Sequence, residues 1–278
     1  MSGKVKGKVR KNMALDTIKL GKLSVSRFIL GSNPFSGFSH QGSDRDRAMI
    51  KYYTVKNIKD VFRQAEDLGI NTVLGRGDQH IIRTLLEYRG EEGSLQWIAQ
   101  TCPEMKSIQR SIEDIIRGCA QACFIHGGVM DYLLANNTLN DVPPAIDMIR
   151  NAGLPAGIAG HNPKVFEWAE ENLDVDFYMC SYYNAAHRDE QAEHISGRPE
   201  WFLPEDRNIM VNLIQRLKKP VIHYKIMAAG RNNPSEALRF VARYLRPGDA
   251  VCVGIFAADK SDMLAEDVRL FRESIARK

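Results

Sequence analysis

The sequence predicts a (β/α)8 barrel, the TIM-barrel architecture, preceded by a short N-terminal hairpin. Two observations point there. Eight short apolar runs recur along the chain, largely non-alternating, as expected of parallel strands covered on both faces. Between them lie longer stretches with apolar residues three and four apart, the period of a helix buried along one side. Eight such pairs in 278 residues suit one barrel. An open doubly wound sheet more usually has fewer strands and a glycine fingerprint in its first turn. No G-x-G-x-x-G, P-loop or C-x-x-C motif occurs.

The elements follow in order. Met13–Ser26 reads as a hairpin turning near Gly21-Lys22, placed to plug the bottom of the barrel. The strand candidates are Phe28–Gly31, Ile70–Gly75, Leu95–Thr101 and Ala122–His126, then Ala156–Gly160, Asp176–Ser181, Pro220–Tyr224 and Ala250–Ile255. Ile58, Val61, Phe62, Ala65 and Leu68 mark the first helix, stopped by Gly69. Ile81, Ile82, Leu85 and Leu86 mark the second, and Ser107 is an N-cap ahead of Ile108, Ile112, Ile115 and Ile116. Ala145–Ala152, Pro163–Asn172, Glu205–Leu217, Pro234–Leu245 and Ser261–Ala276 complete the series. Pro163 and Pro234 fit first helical turns.

Composition sets outer limits. The chain is 44% hydrophobic and 26% charged, which rules out wholesale disorder. No apolar run approaches the ~18 residues of a membrane span. The formal charge of +4 comes from Lys4, Lys6, Lys8, Arg10 and Lys11. Without those five, the 38 basic groups fall to 33 against 34 acidic ones, so the body gives no reason to expect a nucleic-acid partner. Residues 1–12 read as a disordered basic tail and residues 13–278 as one barrel domain. Five scattered cysteines, an odd number, suit reduced thiols and a cytoplasmic location. Cys119 and Cys123 read as packing residues.

Chemistry in such barrels sits in the loops that follow the strands. Two of these loops are long. Ser32–Lys56 carries Phe35, Phe38, Tyr52 and Tyr53, and Asn184–Pro204 carries Trp201 and Phe202. They are candidate lids over a sugar-like ligand, or aromatic glue for long loops. All seven histidines (His40, His80, His126, His161, His187, His194 and His223) fall at or just beyond strand ends on that face. Such a set suggests metal ligation, acid–base chemistry, or both. His126, His161 and His223, from the fourth, fifth and seventh strands, could converge on a divalent transition ion such as Zn or Mn. Asp78 could add a carboxylate and Arg76 an anion clamp. Lys225, two residues after His223, is a candidate Schiff-base former or base, or a partner of a mouth acid. His80 is a further proton carrier. Asn33, Asn162, Tyr183, Asn184, Gln100 and Tyr224 supply groups that would hold a substrate.

Several segments together resemble the aldo-keto reductase superfamily of NADP-linked oxidoreductases. Leu20-Gly-Lys-Leu-Ser-Val-Ser-Arg-Phe-Ile-Leu-Gly31 is similar to that family's hairpin and first strand, and Ala65-Glu-Asp-Leu-Gly-Ile-Asn-Thr72 to the approach to its second. Ile125-His126-Gly127, Gly157-Ile-Ala-Gly-His-Asn162, Tyr183-Asn184 and His223-Tyr224 through Gly230 resemble its fourth to seventh strand ends. The resemblance implies a (β/α)8 barrel, NADP as cofactor, and a Tyr, Lys, Asp and His at the reacting centre. Here only His126 falls on that pattern. The Asp position reads Leu74, the Tyr position falls near Gln79, and the Lys position reads Thr101. The fifth-strand Ser reads His161, the sixth-strand Gln reads Cys180, and a seventh-strand Ser reads Lys225.

Neither Leu74 nor Thr101 can tune a phenol by charge. The first expectation is therefore an enzyme on a carbohydrate-like or hydroxy-carbonyl metabolite working as lyase, isomerase or hydrolase. The metal set would polarise the substrate, and Lys225 or His80 would move protons. An NADPH-dependent oxidoreductase and a non-catalytic ligand-binding barrel are the alternatives.

Overall fold

The structure is a computed structural model and describes residues 15–185 and 200–278. The basic tail, His187 and His194 lie outside the described residues. Two short antiparallel strands, β1 (Thr17–Leu20) and β2 (Leu23–Ser26), form a hairpin. Eight parallel strands follow: β3 (Phe28–Gly31), β4 (Thr72–Arg76), β5 (Gln96–Gln100), β6 (Ala122–Ile125), β7 (Ala156–Gly160), β8 (Phe177–Ser181), β9 (Val221–Tyr224) and β10 (Ala250–Gly254). They close in the order β10-β3-β4-β5-β6-β7-β8-β9, a TIM barrel.

Alternation along each strand splits the apolar residues into two layers. Ile29, Leu74, Ile98, Phe124, Phe177, Met179 and Ile222 point inward and fill the barrel. Leu30, Val73, Trp97, Cys123, Ile158 and Tyr178 point outward under the helices. Ile18, Leu20 and Val25 of the hairpin pack with the inner layer and close its bottom. Asn71 fixes the hairpin there, accepting from Ser26 N at 2.7 Å and donating to Ser24 O at 3.1 Å. The turn needs Gly21: its φ is +54°, and a Cβ would lie 2.8 Å from Asp176 Oδ1.

The helices are α1 (Ser43–Tyr52), α2 (Val55–Asp67), α3 (Gln79–Gly90), α4 (Ile108–Arg117), α5 (Gly127–Ala135), α6 (Pro143–Asn151), α7 (Pro163–Asn172), α8 (Pro204–Ile214), α9 (Pro234–Tyr244) and α10 (Met263–Ala276). Ser107 caps α4 through Arg110 N at 3.2 Å. Two helices escape the sequence pattern. The helix α1 lies inside the first long loop and buries only Met49. The helix α5 opens on two glycines, poor helix formers, and its apolar residues run on to an exposed Tyr132, so no amphipathic stripe marks it. Cys119 corrects one expectation: it is exposed, in a turn at φ +57°, whereas Cys123 is buried. No helix among the described residues is long and apolar enough to cross a membrane.

Candidate active site

The strand ends open on a cavity of about 550 Å³. Its floor is set by residues one step beyond the inward-facing layer: Arg76, Gln100, His126, His161 and Tyr224. Phe124, Met179, Leu74 and Cys252 support them from below.

His161 follows β7 and is the centre of a three-residue chain. Its Nδ1 lies 2.7 Å from Asp131 Oδ2, and its Nε2 lies 3.2 Å from the Tyr224 hydroxyl. Asp131, on α5, is 4% exposed, and its other oxygen accepts the backbone N–H groups of His161 at 3.0 Å and Asn162 at 3.1 Å. A carboxylate so placed keeps the imidazole proton on Nδ1, leaving Nε2 to accept from Tyr224. His126 has the opposite polarity. It caps α5, its Nδ1 accepting from Gly128 N at 3.1 Å, so a neutral ring carries its proton on Nε2. One imidazole is thus an acceptor and its neighbour a donor. Gly127 leaves room for the Tyr224–His161 pair: a Cβ there would stand 3.0 Å from Tyr224 Oη and 3.1 Å from His161 Cε1.

A second group of charges lies at the rim. Lys225 follows β9 at φ +56°, a conformation that favours glycine and is commoner at functional sites. Its ammonium faces the Phe202 ring at 5.9 Å. His40 Nδ1 lies 2.8 Å from Glu200 Oε2. The Lys225 ammonium and burial push the His40 imidazole below its ordinary range. Burial alone would raise the Glu200 carboxyl. The hydrogen bond with His40 and the Lys225 charge, with the His40 and His161 rings nearby, outweigh it and hold Glu200 at about 2.

The expected three-imidazole metal set does not assemble. His223 is fully buried and turned toward the helices; its Nδ1 meets Tyr182 Oη at 2.9 Å and its Nε2 meets Asp249 Oδ2 at 3.3 Å. Tyr224, the next residue on the strand, takes the inward position. Lys225 reaches the cavity because its left-handed backbone breaks the alternation, not because it shares a face with His223. Among the described residues, no group of three or more His, Cys, Asp or Glu is arranged to hold a metal ion.

The other candidates divide. Asn33 and Arg76 line the cavity. Arg76 is bracketed by Asp78, at 3.0 Å, and Glu104, and stacks on Phe38 at 4.5 Å, so its charge is already matched. Asp78 is the N-cap of α3, accepting from Ile81 N at 2.9 Å, and His80 is exposed on that helix outside the cavity. Tyr183 is buried behind the wall and accepts from Asn232 Nδ2 at 2.8 Å. Asn162 and Asn184 line a separate hollow of about 310 Å³ on the far side of Asp131. Of the loop aromatics, Phe38 lines the cavity, while Phe35 packs edge-on against Tyr53 at 4.7 Å and Phe62 at 5.8 Å. Asp131 was missing from the sequence expectations. The available signal was a lone charge in the apolar segment Gly127–Ala135.

One arm of the cavity runs between the β3 and β10 ends and α10. There Asp267 is 4% exposed, and its Oδ1 has no hydrogen-bond partner. Burial, helped by the Glu266 charge, raises its carboxyl from 3.8 to about 7. An acid whose folded value is raised favours the folded state below its unfolded value. That advantage is lost as pH climbs through the folded value. Asp267→Asn should therefore gain stability relative to the parent between pH 4 and pH 8, by on the order of 4 kcal/mol. Urea unfolding at both pH values measures this; a pH-independent difference would refute it.

The cofactor implied by the sequence resemblance does not fit these residues. Leu74, in the layer just beneath the floor, stands where that family has an acid, and Thr101 Oγ1 accepts from His126 N at 3.0 Å. Cys180 faces the helices, so it cannot hold a carboxamide in the cavity. In the arm, Arg45 is paired with Asp259 and Lys260 with Glu266 at 2.8 Å, leaving phosphates to face committed cations beside Asp267.

No family model matches the sequence, and no curated protein matches it significantly. Solved structures share the fold at low identity. PA4992 of Pseudomonas aeruginosa, a candidate aldo-keto reductase, is 19% identical with a TM-score of 0.64, over 93% of this chain and 96% of that one. Orotidine 5'-monophosphate decarboxylase of Methanocaldococcus jannaschii is 15% identical, with a TM-score of 0.52 over 90% and 99%. A truncated 3-deoxy-D-arabino-heptulosonate 7-phosphate synthase of Thermotoga maritima is 12% identical, with a TM-score of 0.53 over 95% and 90%. These likenesses establish the barrel and leave the chemistry to the site.

Proposed function

We propose that this chain is an enzyme that moves protons on a carbohydrate-like, hydroxy-carbonyl small molecule, as an isomerase or lyase without a redox step. The observation that carries this reading is the Asp131–His161–Tyr224 chain, which ends at the cavity floor beside His126. Tyr224 takes the proton from the carbon next to the substrate carbonyl while its own proton passes to His161 Nε2. Asp131 stabilises the imidazolium that forms. The C–H electron pair becomes the new C=C bond, and the carbonyl pair moves onto oxygen. His126 Nε2–H donates to that oxygen as charge develops. Returning the proton to the former carbonyl carbon, while the neighbouring hydroxyl passes its proton to the first oxygen, completes an isomerisation; expelling the hydroxyl on the next carbon as water, with the proton returned from the His161 imidazolium through Tyr224, completes an elimination.

The volume of about 550 Å³ suits a small metabolite. All five cysteines are free, which suits the reducing cytoplasm where we place the protein. The test is carbon-bound deuterium uptake in D2O, followed by proton NMR, across a panel of aldoses, ketoses and hydroxy acids. The expected result is enzyme-dependent exchange next to the carbonyl of at least one class. Exchange no faster than with a His161→Ala variant, across the whole panel, would defeat the reading.

A further inference from the structure

The cavity is also lined by residues of α10 and of the segment after β10, away from the His161–Tyr224 pair. Its arm under α10 is walled by Pro34, Met49, Ile255, Phe256 and Met263. Ring packing places Asp267 within it. Phe28 and Phe271 meet edge-on at 5.6 Å, and Asp267, one turn up the helix from Phe271 toward the strand ends, lines the cavity. Four other charges line the arm. Arg45 is paired with Asp259 and lies 4.5 Å over the Phe256 ring, and Lys260 is paired with Glu266. These two pairs cancel. Asp267 is left as the one acid lining the arm with an unpartnered oxygen, among the described residues. A buried polar atom without a partner in an apolar-walled recess is costly unless a ligand satisfies it.

We infer that this arm is an amine-binding subsite, in which Asp267 Oδ1 accepts from the ammonium or amino group at the far end of the substrate. The inference rests on the proposed function only in taking this cavity as the substrate site, and it narrows the substrate class to amine-bearing hydroxy-carbonyl compounds such as amino sugars. A phosphate is disfavoured: both lining cations are already in ion pairs, and of the two buried unpartnered atoms there, Arg45 Nε and Asp267 Oδ1, only the acid belongs to a group whose charge is not cancelled. An arriving ammonium also favours the ionised carboxylate, so binding below neutral pH releases a proton. Glu266 opposes that ionisation, and Lys260 assists it.

The experiment is binding without turnover. 6-Amino-6-deoxy-D-glucose, D-glucose and D-glucose 6-phosphate are titrated into the full chain, followed by NMR shifts and by calorimetry at pH 6 in two buffers of different ionisation heat. The amino sugar should bind ten- to hundredfold tighter than glucose, the range for a charged hydrogen bond. It should also release a fraction of a proton. Asp267→Asn, which keeps the shape and fold, should remove both the preference and the release. Tyr224→Phe should leave both intact, so loss of catalysis and loss of this subsite are separable. Equal affinity for the amino sugar and glucose, tighter binding of the phosphate, or a preference that survives Asp267→Asn would each overturn the inference.

Discussion

Tyr224→Phe should lower substrate deuterium exchange by roughly 10²–10⁴-fold, the usual contribution of a positioned acid–base group. The change removes one oxygen. The ring, edge-on to His161 at 5.8 Å, stays in place, so the floor keeps its shape. What is lost is the link between substrate and imidazole: the hydroxyl is 3.2 Å from His161 Nε2. The fall should appear in kcat with little change in KM, because the hydroxyl acts on a proton in flight rather than on the resting substrate. Asp131→Asn should give a comparable loss for a different reason. An amide can turn its NH2 toward Nδ1 and move the imidazole proton to Nε2, the wrong side for accepting from Tyr224. A Tyr224→Phe rate within threefold of the parent would remove the relay from the mechanism.

Asp249→Ala should cost about 3–5 kcal/mol of stability, the usual penalty for stripping one partner from a buried charge network. The melting temperature should drop by on the order of 10 °C. Asp249 is fully buried between β9 and β10. Its carboxylate accepts from Val221 N at 2.9 Å, from Arg246 Nε at 2.8 Å, and from His223 Nε2 at 3.3 Å. Burial would raise this carboxyl, but the hydrogen bonds to His223 and Arg246 outweigh it and hold it below the usual range. Burial keeps His223 neutral. The alanine variant leaves a buried imidazole and a guanidinium without their acceptor. Because Asp249 is depressed, its contribution is present at neutral pH and fades as pH falls through its folded value, so parent and variant should converge in acid. Chemical unfolding at pH 7 and pH 3 measures both; a loss under 1 kcal/mol at pH 7 would show the network to be dispensable.

The helical and strand periods carried the barrel because they report burial, and burial follows from the two-layer architecture whatever the chemistry. Strand ends were placed to within a residue or two, and Ser107 was legible as a cap because capping is local. The site was less legible. His126 and His161 were found because both stand one step beyond a strand, where a barrel displays its chemistry. His223 was grouped with them on the same ground and belongs to a different network. Being at a strand end does not say which way a side chain points, and a one-residue step reverses the face. Asp131 shows in the sequence only as a lone charge in an apolar segment; the imidazole that satisfies it lies thirty residues away, and nothing local names that partner.

By itself the sequence determined the barrel, its hairpin plug and the face that carries polar residues. Local periodicity and turn chemistry dictate these one segment at a time. Only the tertiary structure decided which residues meet: that Tyr224 rather than His223 turns inward, that Asp131 orients His161, and that Asp267 lines an arm of the same cavity. Such pairings depend on strand register, on a few left-handed backbone positions, and on angstrom-scale contacts between segments far apart in the chain. Those quantities are set when the sheet closes, and no window of sequence contains them.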